Sequence, residues 1–215
     1  MFKRCYRGRQ TLARLCNCDV ANLCLVENAS YAVNAVVHTL VDDHDHNSSD
    51  DDGFGGLVFS NSYKMVVEAL DLKPKCFTVV VPHPFPIPAD QAGEIHATMV
   101  KRVEEALVLY EGQIKLCVFA HISSMPSMIE PVEALTETCH RLGAKVLIDG
   151  AHAPGQMPVD IANIGCDYYT GNCHKWLFAP KGSAFLYDAT RSVRPAVISS
   201  SRSCAYWSGH PNTQR

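Results

Sequence analysis

A regular alternation of two hydrophobic patterns is the feature that most constrains the fold of this chain. Short apolar runs, often β-branched, predict strands over residues 23–27, 57–60, 76–81, 114–120 and 145–149. Apolar residues recur at helical spacing over 29–40, from near Tyr63, over 95–107 and over 129–142 before Gly143. Because strands that alternate with helices favour parallel pairing, the pattern predicts an α/β fold: a mainly parallel sheet with helices on both faces.

Two polar side chains lie where predicted strands end. Asp149 closes the last of these runs, and Lys175 follows a further run that begins near Asp167. Ligands of such sheets bind at the carboxyl ends of the strands, so we expect both side chains at one site. A lysine that holds pyridoxal phosphate as a Schiff base and an acid that keeps its pyridine nitrogen protonated would fit these positions. Alternatively, Lys175 is a surface lysine that lies along Trp176, and Asp149 caps the turn at Gly150.

Four segments of the chain resemble the class V aminotransferase family of fold-type I pyridoxal-phosphate enzymes, and they occur in the order of that family. They are ENASYAVN at 27–34, HISSMPSMIEPV at 121–132, DGAH at 149–152 and GNCHKW at 171–176. The last two are most similar to the isopenicillin N epimerase-like and cysteine desulfhydrase-like branch. The resemblance covers roughly residues 23–198. It implies the large, cofactor-binding domain of that fold, with pyridoxal 5′-phosphate as cofactor and a small amino acid as substrate.

The resemblance implies that Lys175, Asp149 and His152 carry the chemistry. Lys175 would bind the aldehyde of the cofactor and, once released, move the α-proton of the substrate. A partly dry pocket would lower its pKa and so free the lone pair of the amine. Asp149 would pair with the protonated pyridine nitrogen. His152 resembles the position that contacts the ring or its phenolic oxygen side; the alternative is a loop histidine that points elsewhere.

The remaining candidate residues would bind the phosphate and the ring. Ala29 and Ser30 begin a helix whose free N–H groups and dipole favour an anion, and Asn172 and His174 match the phosphate contacts that precede the lysine in the family. Ser30 could instead be an ordinary helix-start residue, and Asn172 a turn residue.

Two further side chains complete the predicted site. Ser124 resembles the residue that donates to the phenolic oxygen of the ring, and Ser123 is the competing neighbour. Tyr63 resembles the aromatic residue that stacks on the ring. Its alternative role is that of an amphipathic residue at a helix start.

Composition excludes several classes of protein. A net charge of -3 gives no reason to expect a nucleic-acid partner, and no apolar run is long enough to span a membrane. The ten cysteines are scattered through apolar runs without a C-x-x-C pair, so we predict no metal site and reduced thiols in a cytoplasmic location.

Three segments outside the main pattern have their own expectations. Residues 1–22 form a basic N-terminal segment, either a surface helix or an organellar import signal. The acidic stretch 42–53 is predicted to be a mobile insertion in the cofactor-binding domain at 23–198; a metal-binding module is the less favoured interpretation. Residues 199–215 are expected to form an irregular tail.

The chain of 215 residues is short for the family, in which a smaller C-terminal domain supplies an arginine for the substrate carboxylate. We therefore expect that domain to be largely missing; Arg194 and Arg202 could bind a carboxylate but are better explained as surface residues. The favoured function is carbon–sulfur lysis of the cysteine desulfhydrase type, or epimerisation or transamination. The alternative is a catalytically incomplete cofactor-binding fragment or pseudoenzyme subunit. A homodimer, or a pair with a full-length paralogue, is the expected assembly.

Overall fold

The computed structural model describes residues 2–47, 53–71, 75–86 and 93–193, which form one seven-stranded sheet with flanking helices. The strands are β1 (Leu23–Val26), β2 (Phe54–Phe59), β3 (Cys76–Val81), β4 (Ile114–Ala120), β5 (Lys145–Asp149), β6 (Tyr168–Asn172) and β7 (Ala184–Asp188). The helices are α1 (Phe2–Leu15), α2 (Ala29–Asn47), α3 (Lys64–Leu70), α4 (Ile95–Leu109), α5 (Val132–Arg141) and α6 (Ile161–Ile164).

The strand order confirms the predicted mainly parallel sheet. Its order is β1-β7-β6-β5-β4-β2-β3, and the strands from β6 to β3 are parallel to their neighbours. Only β7 runs in the opposite direction, antiparallel to both β6 and β1. The carboxyl ends of β6, β5, β4 and β2 therefore share one edge of the sheet, where a ligand site is expected.

Two apolar cores, one on each face of the sheet, hold the helices in place. Val146 and Ile148 of β5 belong to the core that includes α1, α4 and α5, whereas Leu147 belongs to the core that includes α2 and α3. All three side chains are fully buried. Successive side chains of a strand point to opposite faces, so the continuous apolar run of β5 follows from its burial on both sides.

Two predicted boundaries are wrong by a few residues. The helix predicted from 129 begins at Val132, because Ile129 forms a β-bridge with Ile122 and Pro131 occupies the position before the helix. The strand predicted from 57 begins at Phe54 and includes Gly55 and Gly56, whose lack of side chains hid it from the hydrophobic pattern.

The acidic stretch at 42–53 was predicted to be a mobile loop, but its first half is helical. Helix α2 continues through it to Asn47. Leu40 and Val41 anchor the preceding turn in the core, and the ring of His44 packs edge-on against Phe54 with centroids 5.8 Å apart. Residues 48–52 lie outside the described part of the chain. Among the described residues, no group of three or more histidine, cysteine or acidic side chains could hold a metal ion.

The basic N-terminal segment is helical and packs against the core. Leu12 and Ala13 of α1 are buried, and the guanidinium of Arg9 donates to the carbonyl oxygen of Val20 at 2.7 Å. No described helix is long and apolar enough to cross a bilayer. The predicted tail at 199–215, together with Arg194 and Arg202, lies outside the described residues.

Gly55 gives a test of the packing around β2. A Cβ added at Gly55 would lie 2.6 Å from the carbonyl oxygen of Gln113 and 2.6 Å from the ring of Phe77. We expect Gly55→Ala to lower the free energy of unfolding by about 1–3 kcal/mol, because this packed site cannot accept a methyl group. The measurement is urea denaturation.

The matched control is Gly8→Ala in α1, where an added Cβ meets nothing within 4 Å. Alanine loses less backbone entropy in a helix, so this variant should gain about 0.5–1 kcal/mol. Equal stability of the two variants would contradict the packing described for β2.

Candidate active site

A cleft of about 260 Å³ opens at the shared carboxyl edge of β6, β5, β4 and β2. Its lining residues are Asn28, Ala29, Ser30, Asn61, Tyr63, Ala120, Ile122, Ser123, Ser124, Asp149, Ala151, His152, Asn172, His174 and Lys175. All nine residues that the sequence predicts for the site are in this set. Their individual roles toward a bound molecule remain predictions.

Asp149 is the last residue of β5, and it lines the cleft. Its Oδ1 accepts a hydrogen bond from the Ala151 N–H at 3.0 Å, which holds the carboxylate over the turn that follows the strand. Gly150 is required in this turn, since a Cβ there would clash with the phenol of Tyr169. Burial raises the pKa of Asp149, while the Ala151 N–H and the nearby Lys175 charge act in the opposite direction.

Lys175 lies in the turns that connect β6 to the antiparallel strand β7, and it contacts His152. The two side-chain nitrogens, Lys175 Nζ and His152 Nε2, are 2.8 Å apart. On the other side of the imidazole, the indole N–H of Trp176 donates to His152 Nδ1 at 3.3 Å. A neutral imidazole carries a single N–H, and because Nδ1 accepts, that hydrogen must be on Nε2. In this tautomer the imidazole N–H points to Lys175 Nζ, so the contact favours the neutral form of the lysine amine.

The electrostatic environment agrees with this hydrogen-bond pattern. Burial lowers the pKa of Lys175, and the negative charge of Asp149 only partly offsets the effect. Burial and the neighbouring Lys175 charge also lower the pKa of His152. Both nitrogen bases thus favour their neutral forms more than they would in water, which makes Lys175 a better nucleophile.

The N-terminus of α2 faces the cleft next to Lys175. Asn28 caps the helix, because its Oδ1 accepts from the Tyr31 N–H at 2.8 Å. The Oδ1 of Asn172 accepts from the Ala29 N–H at 2.9 Å and so ties the end of β6 to the helix start. Asn172 therefore positions the helix through its oxygen and leaves its amide N–H groups for other contacts. Ser30 lies in the first helical turn, where backbone N–H groups have no intrahelical partner.

His174 and Ser124 also present polar atoms to the cleft. The Nδ1–H of His174 donates to the carbonyl oxygen of Ser183 at 2.9 Å, which leaves Nε2 for a ligand. Ser124 is exposed on the cleft, whereas Ser123 is buried and its hydroxyl donates to the carbonyl oxygen of Pro126 at 2.5 Å. Of the two serines, Ser124 is therefore the better placed to contact a bound molecule. Tyr63, at the start of α3, is 54% exposed and lines the same cleft.

Sequence reasoning missed several lining residues, above all Asn28 and Asn61. Asn28 immediately precedes α2, and an asparagine before a helical pattern is a helix-cap signal that could have identified it. Asn61 follows the end of β2, the same kind of position that singled out Asp149. The remaining missed residues, Ala120, Ile122 and Ala151, are apolar and gave no chemical signal.

The family to which the chain belongs is known from its sequence. A model of the family described as Aminotransferase class-V matches residues 85–202, more than half of the chain. The chain therefore belongs to the class V aminotransferase family. This membership supports pyridoxal 5′-phosphate as the cofactor and a pyridoxal-phosphate-dependent enzyme as the class of protein.

Two curated relatives show where in the family the similarity lies. The chain is 36% identical over 188 residues to putative L-cysteine desulfhydrase 1 of Oryza sativa subsp. japonica, a match to 84% of this chain and 38% of that protein. It is 32% identical over 185 residues to isopenicillin N epimerase of Streptomyces clavuligerus, covering 86% and 43% of the two chains. The chain thus spans less than half the length of these relatives.

A comparison with solved structures agrees on the fold. A C-DES mutant that carries glycine covalently linked to its pyridoxal phosphate cofactor superposes with a TM-score of 0.70. The match has 18% sequence identity and covers 87% of this chain and 46% of that one. The shared fold is that of the sheet and its flanking helices.

The hydrogen bond from Trp176 gives a testable consequence for Lys175. In Trp176→Phe the indole donor is lost, so the His152 imidazole is free to adopt its other tautomer and accept from a charged lysine. We expect the pKa of Lys175 to rise by about 0.5–1 unit. Because only the neutral amine reacts, acetylation of Lys175 near pH 8 should then be roughly threefold to tenfold slower. Competitive acetylation with peptide mass spectrometry measures this rate as a function of pH.

The exposed Lys181 on the same connection is the internal reference, and its acetylation should not change. An identical pH profile for Lys175 in the wild type and in Trp176→Phe would show that the indole does not set the tautomer.

Proposed function

We propose that this cleft binds pyridoxal 5′-phosphate through Lys175 and that the chain is the cofactor-binding part of an enzyme acting on a small amino acid. The observation that carries the proposal is the convergence of Lys175 and Asp149 on one cleft beside the N-terminus of α2. These elements supply an amine, an anion and a set of N–H donors. An aldehyde, a pyridine nitrogen and a phosphate require those three kinds of partner.

Each group of the chain has a distinct part in this proposal. The first turn of α2, with Ser30 and His174, holds the phosphate, because helix N–H groups and the helix dipole favour an anion. Asp149 keeps a proton on the pyridine nitrogen, and its raised pKa is offset once a positive ring lies beside it. When bound, the cofactor supplies an electron sink for a carbanion at the substrate α-carbon.

Lys175 has two parts in the proposal, as the attachment point and as a base. The contact with His152 at 2.8 Å supports both parts, since it favours the neutral amine, whose lone pair can react once it leaves this hydrogen bond. After substrate binding, the same amine is the base available to take the α-proton. His152 fixes the position of the amine, and the Trp176 indole fixes the position of His152.

Carbon–sulfur lysis of cysteine is the reaction that we favour. The similarity to putative L-cysteine desulfhydrase 1 supports this choice, and the similarity to isopenicillin N epimerase keeps epimerisation as the next choice. Both reactions, like transamination, begin with removal of the α-proton, so the described cleft serves all three equally.

A catalytically incomplete cofactor-binding domain is the second candidate function. No arginine lines the cleft within the described part of the chain, although a bidentate guanidinium is the usual partner of a carboxylate. A chain that holds the cofactor but lacks a group for the substrate carboxylate would bind without turnover.

We further propose that the protein works as a homodimer in a reducing compartment such as the cytoplasm. Large apolar side chains are exposed close to the cleft residues in sequence, including Phe178 at 85%, Met125 at 81% and Trp176 at 43%. Exposed apolar side chains of this size favour association with a second chain. No disulfide links the nine cysteines that the structure describes, which fits a reducing environment.

Covalent trapping tests the attachment point. Protein mixed with pyridoxal phosphate should turn yellow, and borohydride should fix the cofactor to the peptide that contains Lys175. Lys175→Ala should lose the reducible adduct completely. Asp149→Asn should keep the adduct but bind the cofactor roughly tenfold to a hundredfold more weakly, because one interaction with a charged group is lost. Absorbance titration measures the affinity.

Lys181→Ala is the matched control, since Lys181 lies on the same connection but does not line this cleft. It should bind and trap the cofactor like the wild type. A reducible adduct that persists in Lys175→Ala would show that another amine is the attachment point.

An amino-acid panel separates the two candidate functions. The cofactor-loaded wild type should release sulfide and ammonia from cysteine if the favoured lyase function is correct. Exchange of the α-hydrogen of alanine or cysteine in deuterated water, measured by NMR, reports the first step of all the favoured reactions. Cofactor binding without exchange would instead support the incomplete domain.

A further inference from the structure

A buried hydrogen bond crosses beneath the turn that carries Asp149 and His152. The phenol oxygen of Tyr169 and the Nδ1 of His121 are 2.9 Å apart. Tyr169 is fully buried and His121 is only 3% exposed, so the pair is shielded from water. Neither side chain is among the residues that line the cleft. The pair can therefore act on a bound molecule only through the residues in front of it.

The hydrogen bond connects two strands that are not neighbours. Tyr169 belongs to β6 and His121 directly follows β4, with β5 between these strands. Adjacent strands are about 4.8 Å apart, so the two side chains together have to span roughly 10 Å. A tyrosine and a histidine are long enough to meet beneath the end of β5. The pair thus ties together three strands whose carboxyl ends all carry cleft residues.

Gly150 leaves the space through which the phenol passes. A Cβ at this position would collide with the Cζ and the hydroxyl oxygen of Tyr169, so the phenol occupies the space of the missing side chain. The Gly150 N–H donates to the carbonyl oxygen of Thr170 at 2.8 Å. On the other side, the His121 N–H donates to the carbonyl oxygen of Asp149 at 3.0 Å. The turn therefore packs on Tyr169 and is bonded to the chain on both sides of β5.

Burial makes each member of the pair depend on the other. It lowers the pKa of His121, an effect that the Glu133 charge partly offsets, and it raises the pKa of Tyr169. A neutral imidazole and a neutral phenol each need a hydrogen-bond partner when they are buried. The ring of Tyr169 also stacks on Phe185 of β7, with centroids 6.1 Å apart and an angle of 8° between the planes. The phenol is thus held along its ring by Phe185 and at its hydroxyl by His121.

We propose that Tyr169 and His121 are positioning residues of the cleft, whose hydrogen bond fixes the turn after β5 and so holds Asp149 and His152 in place before a ligand binds. This inference rests on the proposed function, because it assigns the pair a part in the binding of pyridoxal phosphate. Without the bond, the Asp149 carboxylate moves relative to the pyridine nitrogen, and His152 moves relative to Lys175.

Tyr169→Phe tests the hydrogen bond, because it removes the hydroxyl and keeps the ring beneath Gly150. The first measurement is absorbance titration of the apoprotein with pyridoxal phosphate. A turn that holds the binding arrangement for about a tenth to a third of the time lowers the apparent affinity roughly threefold to tenfold. The second measurement is competitive acetylation of Lys175 in the apoprotein. Its rate near pH 8 should fall roughly threefold, since a displaced His152 no longer favours the neutral amine.

Tyr168→Phe removes the same group from the neighbouring residue and serves as the control. Tyr168 is fully buried in the core on the opposite face of the sheet, and its hydroxyl oxygen is 3.1 Å from that of Ser192. A general loss of stability affects both variants, but Tyr168→Phe should keep the cofactor affinity and the Lys175 reactivity of the wild type. Equal effects of the two substitutions would overturn the inference, and so would wild-type values of both measurements in Tyr169→Phe.

Two substitutions of His121 test the same bond from its other end, and they remain informative if Tyr169→Phe does not fold. The amide of asparagine places a polar atom at the position of Nδ1, so His121→Asn can still bond to the Tyr169 hydroxyl. His121→Leu cannot form this bond. We expect His121→Asn to bind the cofactor like the wild type and His121→Leu to repeat the loss in Tyr169→Phe. Equal losses in both His121 variants would assign the effect to the imidazole ring and overturn the inference.

The two measurements also separate this inference from the proposed function. A wild type that binds no pyridoxal phosphate would refute the proposed function, whereas acetylation of Lys175 still reports the state of the turn in the apoprotein. If the wild type binds the cofactor, an unchanged affinity and an unchanged acetylation rate in Tyr169→Phe would refute only the part assigned to Tyr169 and His121.

Discussion

The parallel alignment of β6, β5, β4 and β2 brings the cleft residues together. Because these strands run in one direction, the residues that follow them meet at one edge of the sheet, although they are far apart in the sequence. Asp149, Ser124 and Asn61 reach the cleft in this way. Lys175 reaches it because the connection to the antiparallel strand β7 turns back across the same edge. The two apolar cores hold this alignment by burying β5 on both faces.

Low solvent exposure shifts the pKa values of the cleft residues, upward for the acids and downward for the bases. Burial lowers the pKa of Lys175 and His152 and raises the pKa of Asp149 and Glu130, so each group moves toward its neutral form. A neutral lysine is the form that attacks an aldehyde. A hydrogen bond from Trp176 to His152 and one from His152 to Lys175 act in the same direction, since they too favour the neutral amine.

Membership of the class V aminotransferase family and the residues that line the cleft both support cofactor binding by this part of the chain. The described residues provide an amine, an anion and a helix N-terminus, and these are the partners that a cofactor needs. The chain spans 38% of one curated relative and 43% of another. The described cleft thus accounts for the binding of a cofactor, whereas the choice of substrate has to be measured.

The class of fold, most strands and the pair Asp149 and Lys175 could be predicted from the amino-acid sequence, because short apolar runs and their polar ends are local properties of the chain. It did not reveal β7, the helical continuation of α2 to Asn47, or the burial of Glu130. Each of these depends on residues distant in sequence: β7 pairs with β1 and β6, and His44 packs on Phe54. That Trp176, His152 and Lys175 are linked by hydrogen bonds could be seen only in the folded chain. Hydrogen bonds require atoms within about 3 Å, and only the packing of the two cores against the sheet brings them that close.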